Sequence, residues 1–274
     1  MNLDEIFSKA QELPSIPKVV QELIQSFQND DFDMDDIAKK ISLDQVLSAK
    51  VLRLANSARY GGNREIGSIN EAVVRLGFDA LRTLVLASGF VSTFKAPEGF
   101  DLKGFWRESF IVAEVSRWFA QQVGQDQDTA FTCGMISNIG DLMVNILLHE
   151  KAQEIARVVA NGGDKALLEH DAWGFTSEDV GAKVAQMWKF PPSVIDAIAQ
   201  QGAPLDPESP SRLACYLYLA RYVKEARLAE KPLPDIVAEF PNDVAQAAGV
   251  NLAEVLDQLD AAVNIESDVE ALLD

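Results

Sequence analysis

Apolar residues recur along this chain with a period close to 3.6, as in Val19, Val20, Leu23, Ile24 and Phe27, and no stretch alternates strictly over the length of a strand. The pattern predicts an all-α fold. Helix boundaries are marked by local chemistry. Pro17 suits a first helical position, Asp33 with Asp36 and Ser68 with Glu71 predict capping boxes, and Gly77 closes a segment. Thr176 with Asp179 predicts another box, Gly124 ends a long helix, Pro191-Pro192 restarts one after Trp188, and Ser267 with Glu270 opens the last. Loop residues cluster from Lys95 to Gly104, where a subdomain boundary is expected. They cluster again from Gly202 to Pro210, with prolines at 204, 207 and 210, as a connection between two helices. No repeat of fixed period is present.

Composition narrows the class. The 274 residues are 48% hydrophobic and 24% charged, which suits a folded chain with a substantial core. The net charge of −18 would repel phosphate backbones and anionic lipid, so neither nucleic acid nor a membrane is an expected partner. The one dense basic stretch, Arg212 to Arg227, reads as a solvated helix face. Cys133 and Cys215 lie far apart inside apolar runs, as buried thiols in a reducing compartment do. The acidic start of the chain predicts no secretory signal, and the apolar run from Leu81 to Val91 is too short to span a bilayer; the cytoplasm is the expected location. Only two histidines occur, which excludes a three-His zinc site. His149 is expected near a helix C-terminus and His170 in a polar turn, both structural.

Three segments are more particular than amphipathicity demands. The first is Ile41 to Ala58, followed by Tyr60-Gly61-Gly62 and by Ile69 to Gly77; within it Asn56-Ser57 would sit at a helix end. As a helix-terminating residue only, Asn56 would cost about 1 kcal/mol on change to Ala. The second, Phe131 to Val144, carries Gly134 and Gly140 inside an apolar helical run, which predicts close helix packing. The third runs from Gly174 through Gly181 and Pro191-Pro192 to Gln200-Gln201, an antiparallel helix pair whose facing polar positions converge. Trp106, Trp118, Trp173 and Trp188 read as packing residues, and Asp30 to Asp36 as helix-start charge rather than a calcium loop.

With Leu13-Pro-Ser-Ile-Pro17 ahead of it, the first segment closely resembles the HDOD domain, a bacterial all-helical output domain related to HD-type phosphohydrolases; the resemblance covers about residues 11 to 223. Its most specific piece is Leu52-Arg53-Leu-Ala-Asn56-Ser57-Ala58, with Ile69 to Gly77 at the expected interval. It implies a multi-helix HD-like bundle preceded by an N-terminal helical subdomain: residues 1–95 as the N-terminal half, 105–223 as the HD-derived core and 224–274 as C-terminal acidic helices. It also allows the hydrolases' ligand positions to be carried over. Glu108 stands for a histidine, Ser137-Asn138 for the His-Asp doublet, Ser177 for a further histidine, Gln200-Gln201 for a histidine pair and Arg221 for the final aspartate. Neutral oxygens and amides at these positions are poor ligands for Fe, Mn or Zn, and Arg221 is expected to pair with Glu108 in a vacated pocket.

The leading expectation is therefore a non-catalytic signal-transduction module with no metal and no cofactor. It would act through a signalling protein bound in trans or a small ligand in the vacated pocket, since the length leaves no room for another full domain. The alternative is a divergent phosphohydrolase holding Mg²⁺ or Mn²⁺ through Glu108, Asp141 and other carboxylates. A third is an assembly protein that meets its partner through the acidic helices after residue 224.

Overall fold

The computed structural model describes residues 3–9, 18, 20–22, 33–57, 61, 64–95, 97–205 and 210–263, apart from the side chains of 9, 78–80, 82, 83, 86, 87, 90, 92, 93, 256, 257 and 260–263. Pro17 with its preceding motif, Val19, Leu23, Ile24, Phe27, Ala58, Tyr60, Gly62, Pro207 and the Ser267–Glu270 pair lie outside the described residues. Everything regular among the described residues is helical, and these residues form two compact units.

One unit spans the described residues up to Phe94, from position 18 onward. It contains α2 (Met34–Ser42), α3 (Gln45–Ala55) and α4 (Ile69–Thr93). The Asp33 carboxylate accepts from Asp35 N alone, so the expected box with Asp36 does not close. Asp44 caps α3 by accepting from the Val46 and Leu47 amides, each at 3.0 Å. Ser68 caps α4 at Glu71 N, but the Glu71 carboxylate turns outward to Arg64 and does not close a box either. Ile37, Ile41, Leu47, Val51, Leu54, Val73 and Leu76 form the core. Gly77, at φ 74° and ψ 170°, breaks α4, a conformation that a Cβ disfavours.

Asn56 is the C-cap of α3, and it does more than end the helix. Its Nδ2 donates to the Ile66 carbonyl at 2.9 Å, and its Oδ1 accepts from the Ile66 amide at 2.8 Å. The side chain substitutes for a backbone partner ten residues away and pins buried Ile66. Asn56→Ala strands both groups and is expected to cost about 2 kcal/mol, read as a fall in the urea midpoint at constant slope. Arg53 is exposed one turn earlier.

The other unit joins α1 (Leu3–Lys9) to the described residues from Lys95 onward. Its helices are α5 (Leu102–Gln122), α6 (Gln127–Ile136), α7 (Ile139–Leu147), α8 (His149–Val159), α9 (Lys165–Trp173), α10 (Ser177–Met187), α11 (Pro192–Gln200) and α12 (Arg212–Leu228), then α13 (Leu233–Ala238), α14 (Asn242–Ala248) and α15 (Leu252–Val263). α5 and α6 form the densest pair, and Gly134 makes it possible: a Cβ there would lie 2.8 Å from Ala113 N. Gly140 lets α7 approach α10 in the same way. The Thr176–Asp179 capping box forms in full at the start of α10. Trp106 and Trp173 are buried and Trp118 and Trp188 half-buried, so all four contribute to packing. Gln127–Leu147 has the length and composition of a membrane span, but 72% of its apolar window is buried inside this unit, as in a core segment.

Two expectations are corrected here, and one is extended. Arg212 to Arg227 is only in part a solvated face: α12 packs against α5, α11 and α14, and although Arg212 is exposed, the side chains of Arg221 and Lys224 are only 28% and 12% exposed. His149 follows the end of α7, as expected, and it also opens α8, because Leu148 serves at once as the C-cap of α7 and the N-cap of α8. His170 sits inside α9, exposed, not in a turn. The acidic C-terminal helices pack inward through Ile236, Val244, Val255 and Leu259, and the Tyr222 hydroxyl donates to the Ile236 carbonyl at 2.7 Å. Cys133 and Cys215 are free and buried; burial pushes the Cys133 thiol up to about 12.

Candidate functional site

Four helices converge on the positions singled out in the second and third segments. The two-residue turn between α6 and α7 presents Ser137, whose hydroxyl donates back to the Gly134 carbonyl at 2.8 Å, and Asn138, which precedes α7 as its N-cap with no side-chain cap bond. The Ser137 carbonyl accepts from Gln201 Nε2 at 2.8 Å, across 64 residues. Gln201 is 2% exposed, and its Oε1 is left without a partner. Gln200 faces away, toward a separate pocket it shares with Tyr218 and Asp243.

Ser177 is the hinge of the site. As the first residue of α10 it offers an unpaired helix-start amide, and the carboxylate that meets it is Glu169 of α9. Ser177 N donates to Glu169 Oε2 at 2.7 Å, and its hydroxyl lies 2.9 and 3.0 Å from the two carboxylate oxygens. One helical turn before Glu169 on the same face, Lys165 donates to Asp141 of α7 and lies 3.8 Å from Glu169. A single ammonium thus bridges two carboxylates drawn from two helices. Burial alone would raise the Asp141 carboxyl, but the adjacent ammonium outweighs it, helped by the Ser177 side chain and Arg221, and holds the group below the usual carboxylate range. For Lys165 burial disfavours the charge, yet Asp141 and Glu169 together hold the ammonium above its ordinary value. Glu169 moves the other way: burial pushes it up, against the pull of Lys165 and Ser177.

The expected Glu108–Arg221 pair is not formed. Arg221 lies 3.6 Å from Glu178 of α10, while Glu108, 42% exposed, takes Lys224 at 3.0 Å. Arg221 and Lys224 are three residues apart, about 60° around the helix, so one faces α10 and the other α5. Glu108 therefore stands apart from the Asp141–Lys165–Glu169 cluster. Lys165 and Glu169 were not singled out from the sequence; a Lys and a Glu four apart occur on many solvated helices, and nothing local distinguishes this pair.

A family model for the HDOD domain matches residues 13–204. The chain belongs to the HDOD domain family. Among solved structures, the HDOD chain is similar to a protein from Shewanella amazonensis SB2B provisionally named a phosphohydrolase: 35% identity, TM-score 0.80, covering 98% of this chain and 96% of that one. A Marinobacter aquaeolei VT8 protein, provisionally named for signal transduction, shares the fold at 22% identity and TM-score 0.77, over 99% of this chain and 63% of its own. An uncharacterised protein of Treponema pallidum (strain Nichols) is 26% identical over 199 residues, 70% of this chain; the HDOD chain spans 38% of that relative's length.

The relationship to HD phosphohydrolases implies a metal at the inherited positions, and the donor set does not fit one. Ser177 and the Ser137 carbonyl are spent on hydrogen bonds inside the protein, and the two nearest carboxylates, Asp141 and Glu169, are held by an ammonium. Among the described residues no three His, Cys, Asp or Glu side chains gather as metal ligands do.

Proposed function

We propose that this HDOD chain is a regulatory module without hydrolytic activity, in which the Lys165 ammonium supplies internally the positive charge that a hydrolase takes from a metal ion. In the cytoplasm it would relay state by binding a signalling protein that carries the input. The observation that carries this reading is the Lys165 bridge between Asp141 and Glu169, with Glu169 in turn holding the first amide of α10. A fixed cation on a four-carbon stem keeps the inherited helices together and offers no open coordination position for a substrate or an activated water. The signal-transduction name of the Marinobacter neighbour agrees with this role.

The Shewanella relative's name favours the opposite reading, a divergent phosphohydrolase. Elemental analysis of protein purified without chelators, alongside phosphodiesterase assays with added Mg²⁺, Mn²⁺ or Fe²⁺, separates the two. Substoichiometric metal and no turnover are expected. Stoichiometric metal with turnover that disappears in Asp141→Asn would overturn the proposal and establish the hydrolase.

A further inference from the structure

α8 carries an apolar stripe at Ala152, Ile155, Ala156, Val159 and Ala160, the spacing of a helix face meant for burial, yet of these only Ala152 is buried. Its alanines leave a cavity of about 390 Å³ between α7, α8 and α9, within the size range of small-molecule sites. Lys165 and Glu169, with Trp173 one turn further, line it from α9; Asp141 and buried Val144 line it from α7. Apolar walls thus lead to one charged end.

The charge at that end selects the ligand. Asp141 and Glu169 set two carboxylates against one ammonium, and Arg221 and Glu178 behind them pair with each other. The Lys165 donors are already directed at carboxylates, so an anionic head would have to compete with both and would meet net negative charge. Asp141, with its side chain 34% exposed, remains open to a further donor. A cationic head on an apolar body matches both halves of the cavity.

We infer that this cavity is a binding site for a small organic ammonium, a primary amine on an aliphatic or aromatic body of roughly six to ten carbons, sized by the range for such sites. The inference goes beyond the proposed regulatory reading by adding a small ligand to the protein partner, and it rests on that reading in that the charged cluster binds no metal.

The test titrates hexylammonium, hexanoate and hexanol into the full chain in the presence of EDTA, following the methyl resonances of Ala152, Ile155 and Ala156. Hexylammonium is expected to give saturable shifts at these methyls and to bind at least about tenfold more tightly than either of the others, as a charge-assisted hydrogen bond requires. Ala156→Leu, which fills the cavity from an exposed position and leaves the fold intact by circular dichroism, should abolish the shifts. Asp141→Asn should weaken hexylammonium by about tenfold and leave hexanol unchanged. Tighter binding of hexanoate, equal binding of hexanol, shifts that survive Ala156→Leu, or no saturable shift with any probe would each overturn the inference. Because EDTA removes any metal, a failure here is distinct from the appearance of metal and turnover, which would overturn the regulatory reading instead.

Discussion

Lys165→Met is expected to lower the stability of the chain by about 3 kcal/mol, the lower end of the range for breaking a buried ion pair, because Asp141 and Lys165 are each about a third exposed. The loss is not in the ammonium itself but in what it leaves behind: Glu169, whose side chain is 3% exposed, and Asp141 would share one site with no counter-charge. Urea denaturation of the single variant and of Lys165→Met with Asp141→Asn checks this. The double variant removes one of the two stranded charges and should recover a substantial part of the loss; equal stability of Lys165→Met and the parent would refute the bridging role. The pH dependence has a definite sign. Asp141, held below the usual range, contributes stability that is present above its unfolded value and disappears as pH falls through its folded one. Glu169, pushed up by burial, contributes in the opposite sense: its share is complete below its unfolded value and is lost as pH rises through the folded one. Lys165→Met removes the Asp141 share, so the variant should lose less stability than the parent on acidification below the ordinary carboxylate range.

The second large effect is steric. In Gly140→Ala the new methyl would overlap the Ser177 carbonyl oxygen and lie 2.7 Å from Gly181 N, both backbone atoms that cannot rotate away. α7 must separate from α10, at an expected cost of about 3 kcal/mol, the upper part of the range for overpacking. Gly67→Ala is the control: its methyl would meet nothing within 4 Å, so it should be neutral or slightly stabilising. Thermal or urea unfolding of the two variants provides the comparison, and a neutral Gly140→Ala would show that the α7–α10 contact can relax without penalty.

What the sequence made legible were features that short stretches of chain determine. The Thr176–Asp179 box needs only residues three apart, and it forms; Gly134 and Gly140 advertised close packing because glycine in an apolar helical run is costly unless something approaches. What stayed hidden depends on how helices rotate against each other. Whether Arg221 or Lys224 meets Glu108 is settled by about 60° of turn on α12, which no local pattern sets. Lys165 and Glu169 become a buried bridge only because α9 packs near Asp141 and the start of α10. The helix end just before His149 was legible, but the immediate start of α8 there was not, because Leu148 separates the two helices with no Gly or Pro to punctuate the change.

That single shared cap gives residue number an unusual weight at one corner of the molecule. With Leu148 as the whole joint, α8 has no slack in which to absorb an extra residue: one insertion there would turn the helix by about 100° and carry its alanine stripe away from α9. Among related chains, a change of length at this corner would therefore alter the cavity more than any conservative exchange along its walls, and length conservation there is the trace that selection on the cavity would leave.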